Sequence, residues 1–297
     1  MCAPFACFSS CLTNENYLEM IKYWEPSRPG KRKIMVFQYG KVASTAIVKG
    51  LKLFANLTAA HVHAKSHAKQ WLQGAHVDLP VLQQGFALSQ EWSLNPGDEC
   101  FIITAARSHF SRDPSEYFEN VLMENHPYGY HPRGVERFSD RAPRNGERRW
   151  TMEDIVYMGQ HNAEALIKDF RAQHKQVLAF YAKWFSREFR GATSLNVLSE
   201  PFDLQNRFSL IQGKQCSALV LRSEDSESWG EILSKIFPGF KMPVFSNSGK
   251  TKWYSEAYKA FKGNLTWTRT EIQAMCRTET ERHFYKADAT SPCRDLH

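Results

Sequence analysis

The chain has 297 residues, with 38 Lys and Arg against 31 Asp and Glu, so its formal net charge is +7. Hydrophobic residues make up 42% of it and charged residues 23%, which is typical of a folded globular protein and excludes a disordered or low-complexity chain. The modest positive charge suits a phosphate- or sulfate-bearing ligand. Because nucleic acid binding needs a more concentrated basic face, we expect no nucleic acid partner.

No apolar run reaches the roughly 18 residues of a membrane span, so we expect no such span. Residues 1–12 are mildly apolar without a basic lead, and we interpret them as neither a signal peptide nor an anchor. The seven cysteines lack metal-site spacing, and no disulfide is expected between Cys100 and Cys216, which open two apolar strand-like runs. Their odd number and scatter favour a reducing, cytoplasmic location.

The predicted elements of the first half alternate between strand and helix. They are a strand over 34–37, a helix after residue 43 that Ser44 or Thr45 could cap, a strand over 57–63, a helix over 64–73, a strand over 101–106 and a helix over 111–125. The run over 101–106 is continuously apolar, as a central parallel strand should be. This order predicts an α/β fold with a doubly wound, parallel central sheet.

The second half is predicted to be mainly helical. Residues 126–150 are rich in Pro, Gly and Arg and are interpreted as a surface loop or lid. The remaining elements are predicted helices over 151–170, 177–188, 228–237, 256–261 and 270–285, and predicted strands over 195–198 and 218–221. Since no linker divides the chain, we expect an N-terminal extension over 1–30, a single domain over 31–290 and a tail over 291–297.

The first candidate site is the loop over residues 38–45, between the first strand and its helix. Backbone N–H groups and the helix dipole attract an anion there, and Lys41 adds a positive charge. Gly40 allows close approach of the backbone, and Ser44 and Thr45 offer hydroxyl donors. A nucleoside-triphosphate loop requires a glycine where this chain has Met35, so that form of the loop is not expected.

Two further basic positions could hold phosphate. Arg107 follows the strand over 101–106, and Ser115 lies eight residues later in a helix first turn, so both could reach one phosphate. Arg112, between them, is expected at most to pair with a carboxylate. Lys250 and Lys252 lie in a Gly/Ser-rich turn that could close over a phosphate or could simply be solvated.

These motifs resemble those of the sulfotransferases that use 3′-phosphoadenosine 5′-phosphosulfate (PAPS). The segment Gly40-Lys41-Val42-Ala43-Ser44-Thr45 is similar to their 5′-phosphosulfate loop, and Arg107 with Ser115 resembles their 3′-phosphate motif. Ser108-His109 departs from the Asp-Pro that relatives commonly carry. Thr251-Lys252-Trp253-Tyr254-Ser255 is similar to the Asn-Lys-Trp-Tyr-Ser string of the capsular polysaccharide synthesis branch. The resemblance covers roughly residues 33–286.

The resemblance implies a three-layer sandwich with a P-loop-like central sheet and a helical C-terminal part. It implies transfer of a sulfuryl group from PAPS to a hydroxyl or amine of a small-molecule or saccharide acceptor, without a metal. The residues implied to bind PAPS, or its product adenosine 3′,5′-bisphosphate, are Gly40, Lys41, Val42, Ala43, Ser44, Thr45, Arg107, Ser115 and Lys252. Lys41 would also stabilise charge on the departing product.

The catalytic base is expected among three histidines near the end of the second strand. His63 lies 22 residues after Lys41, an interval similar to that between the loop lysine and a catalytic glutamate in glycosaminoglycan and tyrosylprotein sulfotransferases. A histidine can act as a base near neutral pH. We prefer His63, and His61 and His67 remain alternatives. A zinc site of all three competes with this interpretation, but no fourth ligand is evident nearby.

Two other functions remain open. An ATP-dependent phosphotransferase would share the fold and the anion-binding loop. A non-catalytic polyanion-binding module would account for the net charge and for the arginines over 133–149, although acidic residues are interspersed among them.

Overall fold

The computed structural model describes residues 32–40, 42–55, 59–62, 99–124, 152–213, 216–243 and 252–295. Several predicted features lie outside these ranges: Lys41, His63, His67, Lys250, the extension over 1–30, the helix over 64–73 and the Arg-rich loop over 126–150. Among the helices of the described ranges, none combines the length and apolar character that crossing a membrane requires.

The described residues form five strands and eight α-helices. In chain order these are β1 (Arg32–Phe37), α1 (Ser44–Phe54), β2 (Ala59–Val62), β3 (Glu99–Ala106), α2 (His109–Glu124), α3 (Met152–His161), α4 (Ala163–Tyr181), α5 (Arg190–Thr193), β4 (Phe208–Gln212), β5 (Cys216–Arg222), α6 (Trp229–Ile236), α7 (Ser255–Asn264) and α8 (Arg269–Cys276). Two π-helical turns, Phe185–Phe189 and Glu281–Tyr285, and a 3₁₀ turn, Ser223–Ser228, complete the list.

The five strands form one mostly parallel sheet in the order β2-β1-β3-β5-β4. Strands β1, β2, β3 and β5 run parallel, and β4 pairs antiparallel with β5 at one edge. Val36 of β1 lies opposite His61 of β2 on one side and Ile103 of β3 on the other. The α/β class and the parallel central sheet are therefore confirmed. The carboxyl ends of β1 and β3 lie side by side.

Helical segments cover both faces of the sheet. Phe37 packs against Trp184 and Phe189, with ring centroids 5.2 and 5.6 Å apart. Phe101 points to the opposite face, where its ring meets that of Phe237 at 5.6 Å. Because β1 and β3 are buried on both sides, residues 34–37 and 100–106 are apolar except for Thr104, without the alternation of a half-exposed strand.

A second apolar cluster joins α2 to the helices α3, α4 and α7. It contains Phe118 of α2, Ile155 of α3, Phe170 of α4 and Phe261 of α7. Phe118 and Phe261 lie edge to face at 5.1 Å, and both are almost fully buried. This cluster fixes the position of α7 along α2.

Five predicted elements differ from the structure. The separate helix predicted over 177–188 is instead the end of α4, followed by the π-helical turn Phe185–Phe189. Residues 195–198 form no strand, and the edge strand is β4 instead. The helix predicted over 151–170 is interrupted at Asn162, whose side chain caps α4 by accepting from the Ala165 N–H. The final helix ends at Cys276 and resumes as the π-helical turn Glu281–Tyr285. The residue that caps α1 is Ala43, not Ser44 or Thr45.

The expectation for Cys100 and Cys216 is wrong. The two residues lie opposite each other in the parallel ladder of β3 and β5, with Cα atoms 4.5 Å apart, and they form a disulfide bond. A second disulfide joins Cys276 to Cys293. Although both cysteines open apolar strands, adjacency in the sheet brings their sulfur atoms together. The cysteine pattern therefore no longer supports a reducing location.

Candidate functional site

The two turns that the sequence marks as anion sites are directly bonded to each other. The Tyr39 hydroxyl, in the turn after β1, accepts from the Arg107 N–H at 2.8 Å and donates to the Arg107 carbonyl at 3.2 Å. Tyr39 is only 3% exposed, so solvent does not compete for these bonds. Both turns thus share the carboxyl edge of the sheet, where α/β proteins bind ligands.

The backbone of the first turn has an unusual conformation at Ala43. Its φ of 59° and ψ of 25° lie in the left-handed region, which L-residues other than glycine seldom adopt. Such conformations cluster at ligand-binding turns, where successive N–H groups form an anion-binding concavity. Ser44 and Thr45 follow as the first residues of α1, so their N–H groups belong to a helix N-terminus. The turn has the backbone geometry to hold an anion.

Gly40 lies close to the side chains of α2. A Cβ atom at Gly40 would lie 3.4 Å from Glu116 Oε2. Glu116 in turn accepts from Arg112 at 3.0 Å, and this ion pair is buried. The turn after β1 therefore rests on a charged pair inside the protein.

Arg112 is a core residue and not a ligand-binding group. Its guanidinium also donates to Asp113 at 2.8 Å and lies 3.5 Å from the centroid of the Tyr181 ring. Burial alone would lower the pKa of Arg112, but Glu116, Tyr181 and Asp113 raise it overall. The expectation that Arg112 pairs with a carboxylate is confirmed.

Two buried histidines complete the surroundings of Asp113. His109 Nδ1 lies 3.1 Å from both carboxylate oxygens, and His174 Nε2 lies 2.9 Å from one of them. Burial favours the protonated carboxyl, but His109, His174 and Arg112 together lower the pKa of Asp113 well below its ordinary value. The buried carboxylate ties α2 to α4.

One face of α2 brings the other predicted ligands together. Arg107 Nε donates to Ser111 Oγ at 3.1 Å, and Ser115 and Glu119 follow on the same face at helical spacing. Lys252 Nζ forms an ion pair with Glu119 Oε2 at 2.6 Å. The structure thus places Arg107, Ser115 and Lys252 along one helix face, although Lys252 is 133 residues from its partner Glu119 in sequence. We call this face, from Arg107 to Glu119, the α2 ligand face.

Tyr258 of α7 also reaches the α2 ligand face. Its ring packs on Phe118 at 5.1 Å. Burial raises the pKa of the Tyr258 phenol, whereas the nearby Arg107 charge and the Ser115 hydroxyl oppose that rise. Sequence reasoning gave Tyr258 no role, because a tyrosine in an amphipathic helix is ordinarily a packing residue.

Glu224 lies at the start of the α2 ligand face. It follows β5, the neighbour of β3, and its Oε1 accepts from the Ser108 N–H at 3.2 Å and from Ser111 Oγ at 2.9 Å. Its Oε2 accepts from the Tyr285 hydroxyl at 2.5 Å. An exposed carboxylate beside Arg107 and Ser111 opposes anion binding at that end of the face.

Glu281 caps the N-terminus of α2 from the interior. Its Oε1 accepts from Ser108 Oγ at 2.8 Å and from the His109 N–H at 2.6 Å, and its Oε2 has no hydrogen-bond partner among the described residues. Burial, with a smaller contribution from Glu224, raises the pKa of Glu281 to about 7 against the opposing effects of His109 and Ser108. Sequence reasoning missed this cap because Glu281 lies 173 residues from Ser108.

The structure locates only one of the three candidate bases. His61 lies in β2 opposite Val36, and its Nε2 is buried. Within the described ranges, no three metal-ligating side chains come close enough to hold an ion. Because His63 and His67 fall outside those ranges, the choice of base stays a prediction.

A scan against protein-family models, a search of curated proteins and a search of solved structures gave no match to this chain. The residues of the site are therefore the basis for assigning a function.

Proposed function

We propose that the protein is a PAPS-dependent sulfotransferase with a P-loop-like, three-layer fold. It would transfer a sulfuryl group to a hydroxyl or amine of a small-molecule or saccharide acceptor. The observation that carries this proposal is the pair of hydrogen bonds between Tyr39 and Arg107. They join the turns after two adjacent strands, and each of these turns is a proposed anion-binding site. A nucleotide with an anionic group at each end of its ribose requires such a pair of turns.

The turn after β1 would hold the 5′-phosphosulfate. The left-handed Ala43 and the helix N-terminus after it provide N–H donors without any acidic residue in the first turn of α1. The proposed ligands in this turn are Gly40, Lys41, Val42, Ala43, Ser44 and Thr45. Lys41 would supply the positive charge that the leaving 5′-phosphate needs.

The α2 ligand face would hold the 3′-phosphate. Arg107 offers a planar fork of donors, and Ser115 offers a hydroxyl one turn beyond Ser111. Lys252 is already within reach of this face through its contact with Glu119. A phosphate bound next to Ser115 would compete with Glu119 for the Lys252 ammonium.

PAPS supplies a sulfuryl group whose bond to the 5′-phosphate breaks as the acceptor oxygen or nitrogen bonds to sulfur. His63 would take the acceptor proton, with His61 and His67 as alternatives. Lys41 and the turn amides would stabilise the charge that develops on adenosine 3′,5′-bisphosphate. No metal is needed for this sequence of events.

A cytoplasmic location stays a prediction. The disulfides Cys100–Cys216 and Cys276–Cys293 are typical of oxidising compartments, so they argue against it. Cell fractionation would test the location, and recovery of the protein outside the cytoplasmic fraction would overturn it.

Binding and turnover with two lysine variants would test the function. We expect the protein to bind adenosine 3′,5′-bisphosphate and to release it from PAPS in the presence of an acceptor. Lys41→Ala should reduce both by about ten- to a hundredfold, as expected for one charged contact. Lys175→Ala, a change at an exposed lysine of α4, is the matched control. Wild-type behaviour of Lys41→Ala would refute the assignment.

The same samples would distinguish the two other functions. Met35 is fully buried in β1, where a nucleoside-triphosphate loop requires glycine, so ATP–Mg²⁺ should stabilise the protein less than the bisphosphate does. Greater stabilisation by ATP–Mg²⁺ than by the bisphosphate would indicate an ATP-dependent phosphotransferase. Strongly salt-dependent heparin binding without any response to the bisphosphate would indicate a polyanion-binding module.

A further inference from the structure

The α2 ligand face receives one polar group from a different helix. Ser111, Ser115 and Glu119 follow one another along α2 at intervals of four residues, with Arg107 at the near end. Ser111 is already engaged by Arg107 and Glu224. A phosphate next to Ser115 therefore needs further donors from outside α2.

Tyr258 of α7 is held in a position to provide such a donor. Its ring lies 5.1 Å from that of Phe118, and Phe261 of the same helix also packs on Phe118 at 5.1 Å. On the other side, α7 approaches α3 so closely that a Cβ atom at Gly159 would lie 2.3 Å from that of Ala257. With α7 fixed from two sides, the Tyr258 side chain has little freedom to move.

The surroundings keep the Tyr258 hydroxyl protonated. Burial raises its pKa, and the Arg107 charge and the Ser115 hydroxyl offset that only in part. The Lys262 ammonium lies 5.6 Å from the ring centroid. Phe118 lies one helical turn after Ser115 in α2, and Tyr254, one turn before Tyr258 in α7, has its ring centroid 5.6 Å from Lys252 Nζ. The Tyr258 phenol is therefore a neutral hydrogen-bond donor on the side of α7 that faces these proposed phosphate ligands.

We infer that Tyr258 donates a hydrogen bond to the 3′-phosphate and makes the site selective for 3′-phosphorylated nucleotides over nucleotides with a free 3′-hydroxyl. This inference rests on the proposed function. A 3′-hydroxyl has no charge to attract Arg107, and it is too small to contact Arg107, Ser115 and Tyr258 together. Selectivity should therefore decrease when the Tyr258 hydroxyl is removed, even though the ring remains.

Calorimetric binding of adenosine 3′,5′-bisphosphate and adenosine 5′-monophosphate would test the inference in the wild type, Tyr258→Phe and Tyr157→Phe. Phenylalanine keeps the packing on Phe118. We expect Tyr258→Phe to weaken bisphosphate binding about tenfold and to leave monophosphate binding within about twofold, as for one hydrogen bond to a charged group. Tyr157 is exposed on α3, so Tyr157→Phe should match the wild type for both nucleotides.

Each other outcome is decisive. If the wild type binds the bisphosphate and Tyr258→Phe keeps the same ratio of the two affinities, the inference is wrong and the proposed function stands. If that unchanged ratio comes with an equal loss of affinity for both nucleotides, Tyr258 has a purely structural role, and the inference is again wrong. If the wild type fails to bind the bisphosphate, the proposed function and the inference both fall.

Discussion

The Tyr39 hydroxyl lies between the N–H and the carbonyl of Arg107, accepting from the first at 2.8 Å and donating to the second at 3.2 Å. One side chain therefore holds the turn after β1 against the turn after β3. The Tyr39 ring is fixed in turn by Trp184 at 5.0 Å and by the Arg112 guanidinium at 4.9 Å. The distance between the two turns is thus set by the core.

Tyr39→Phe should loosen this connection without emptying the core. The variant removes both hydrogen bonds and leaves the Arg107 N–H and carbonyl without that partner. We expect the free energy of unfolding to fall by about 1–3 kcal/mol and the affinity for adenosine 3′,5′-bisphosphate to fall about tenfold. Urea unfolding and calorimetry would measure the two effects. Unchanged affinity would show that the turns do not act on one ligand.

Glu224→Gln should strengthen bisphosphate binding. The amide oxygen can still accept from Ser108 and Ser111, but the negative charge beside Arg107 is removed. We expect affinity to rise about three- to tenfold at low salt, and the gain to shrink as salt screens the charge. The matched control is Glu227→Gln, since Glu227 lies in the same 3₁₀ turn and is highly exposed. Weaker binding by Glu224→Gln would contradict this prediction.

The buried Glu281 should make stability depend on pH near neutrality. Its folded pKa of about 7 exceeds the ordinary value of 4.5, so between these pH values the folded state keeps a proton that the unfolded state releases. The contribution is therefore complete below about pH 4.5 and is lost as the pH rises through 7. The shift corresponds to about 3 kcal/mol.

Glu281→Gln would isolate this effect. Glutamine cannot titrate, yet it can still accept from Ser108 and His109. We expect the variant to gain stability relative to the wild type as the pH rises from 5 to 8, by about 3 kcal/mol across the full titration. Urea unfolding at each pH would measure the difference. Glu256→Gln, on the exposed side of α7, is the matched control. Parallel curves for Glu281→Gln and the wild type would count against the buried titration.

The C-terminal disulfide should contribute to stability through loop closure. Cys276 and Cys293 are 17 residues apart, and Cys293 is buried. Replacing both by serine should lower the free energy of unfolding by about 3 kcal/mol, the value expected for a loop of this length. Denaturant unfolding without reductant would measure the loss. Equal stability of the two proteins would mean that the cross-link does not constrain the unfolded chain.

The central strands could be predicted from the sequence because burial on both faces leaves a continuous apolar run, as in β3. The edge strand β4 lacks that signal, since its Phe-Ser-Leu-Ile-Gln sequence is buried only at one end. Residues 195–198 are apolar for another reason: Leu195 and Val197 pack on the core from a turn. Apolar content alone does not distinguish these two cases.

Within the site, the sequence could predict what lies close along the chain. Arg107 and Ser115 belong to one turn and the helix after it, so their spacing was informative. Glu224 contacts Ser111 from 113 residues away, and Glu281 and Tyr258 come from segments still further along the chain. Only the order of the strands and the packing of α7 on α2 bring these groups to the ligand face.

The position of the Cys100–Cys216 disulfide determines which properties of the protein depend on its oxidation state. It cross-links β3 and β5 at their amino ends, whereas Arg107 and Glu224 follow the carboxyl ends of the same two strands. Reduction of this disulfide would leave the ladder between the strands in place and the carboxyl edge of the sheet undisturbed. The oxidation state of this pair should therefore govern resistance to heat and proteases, and not the affinity of the proposed site for a nucleotide.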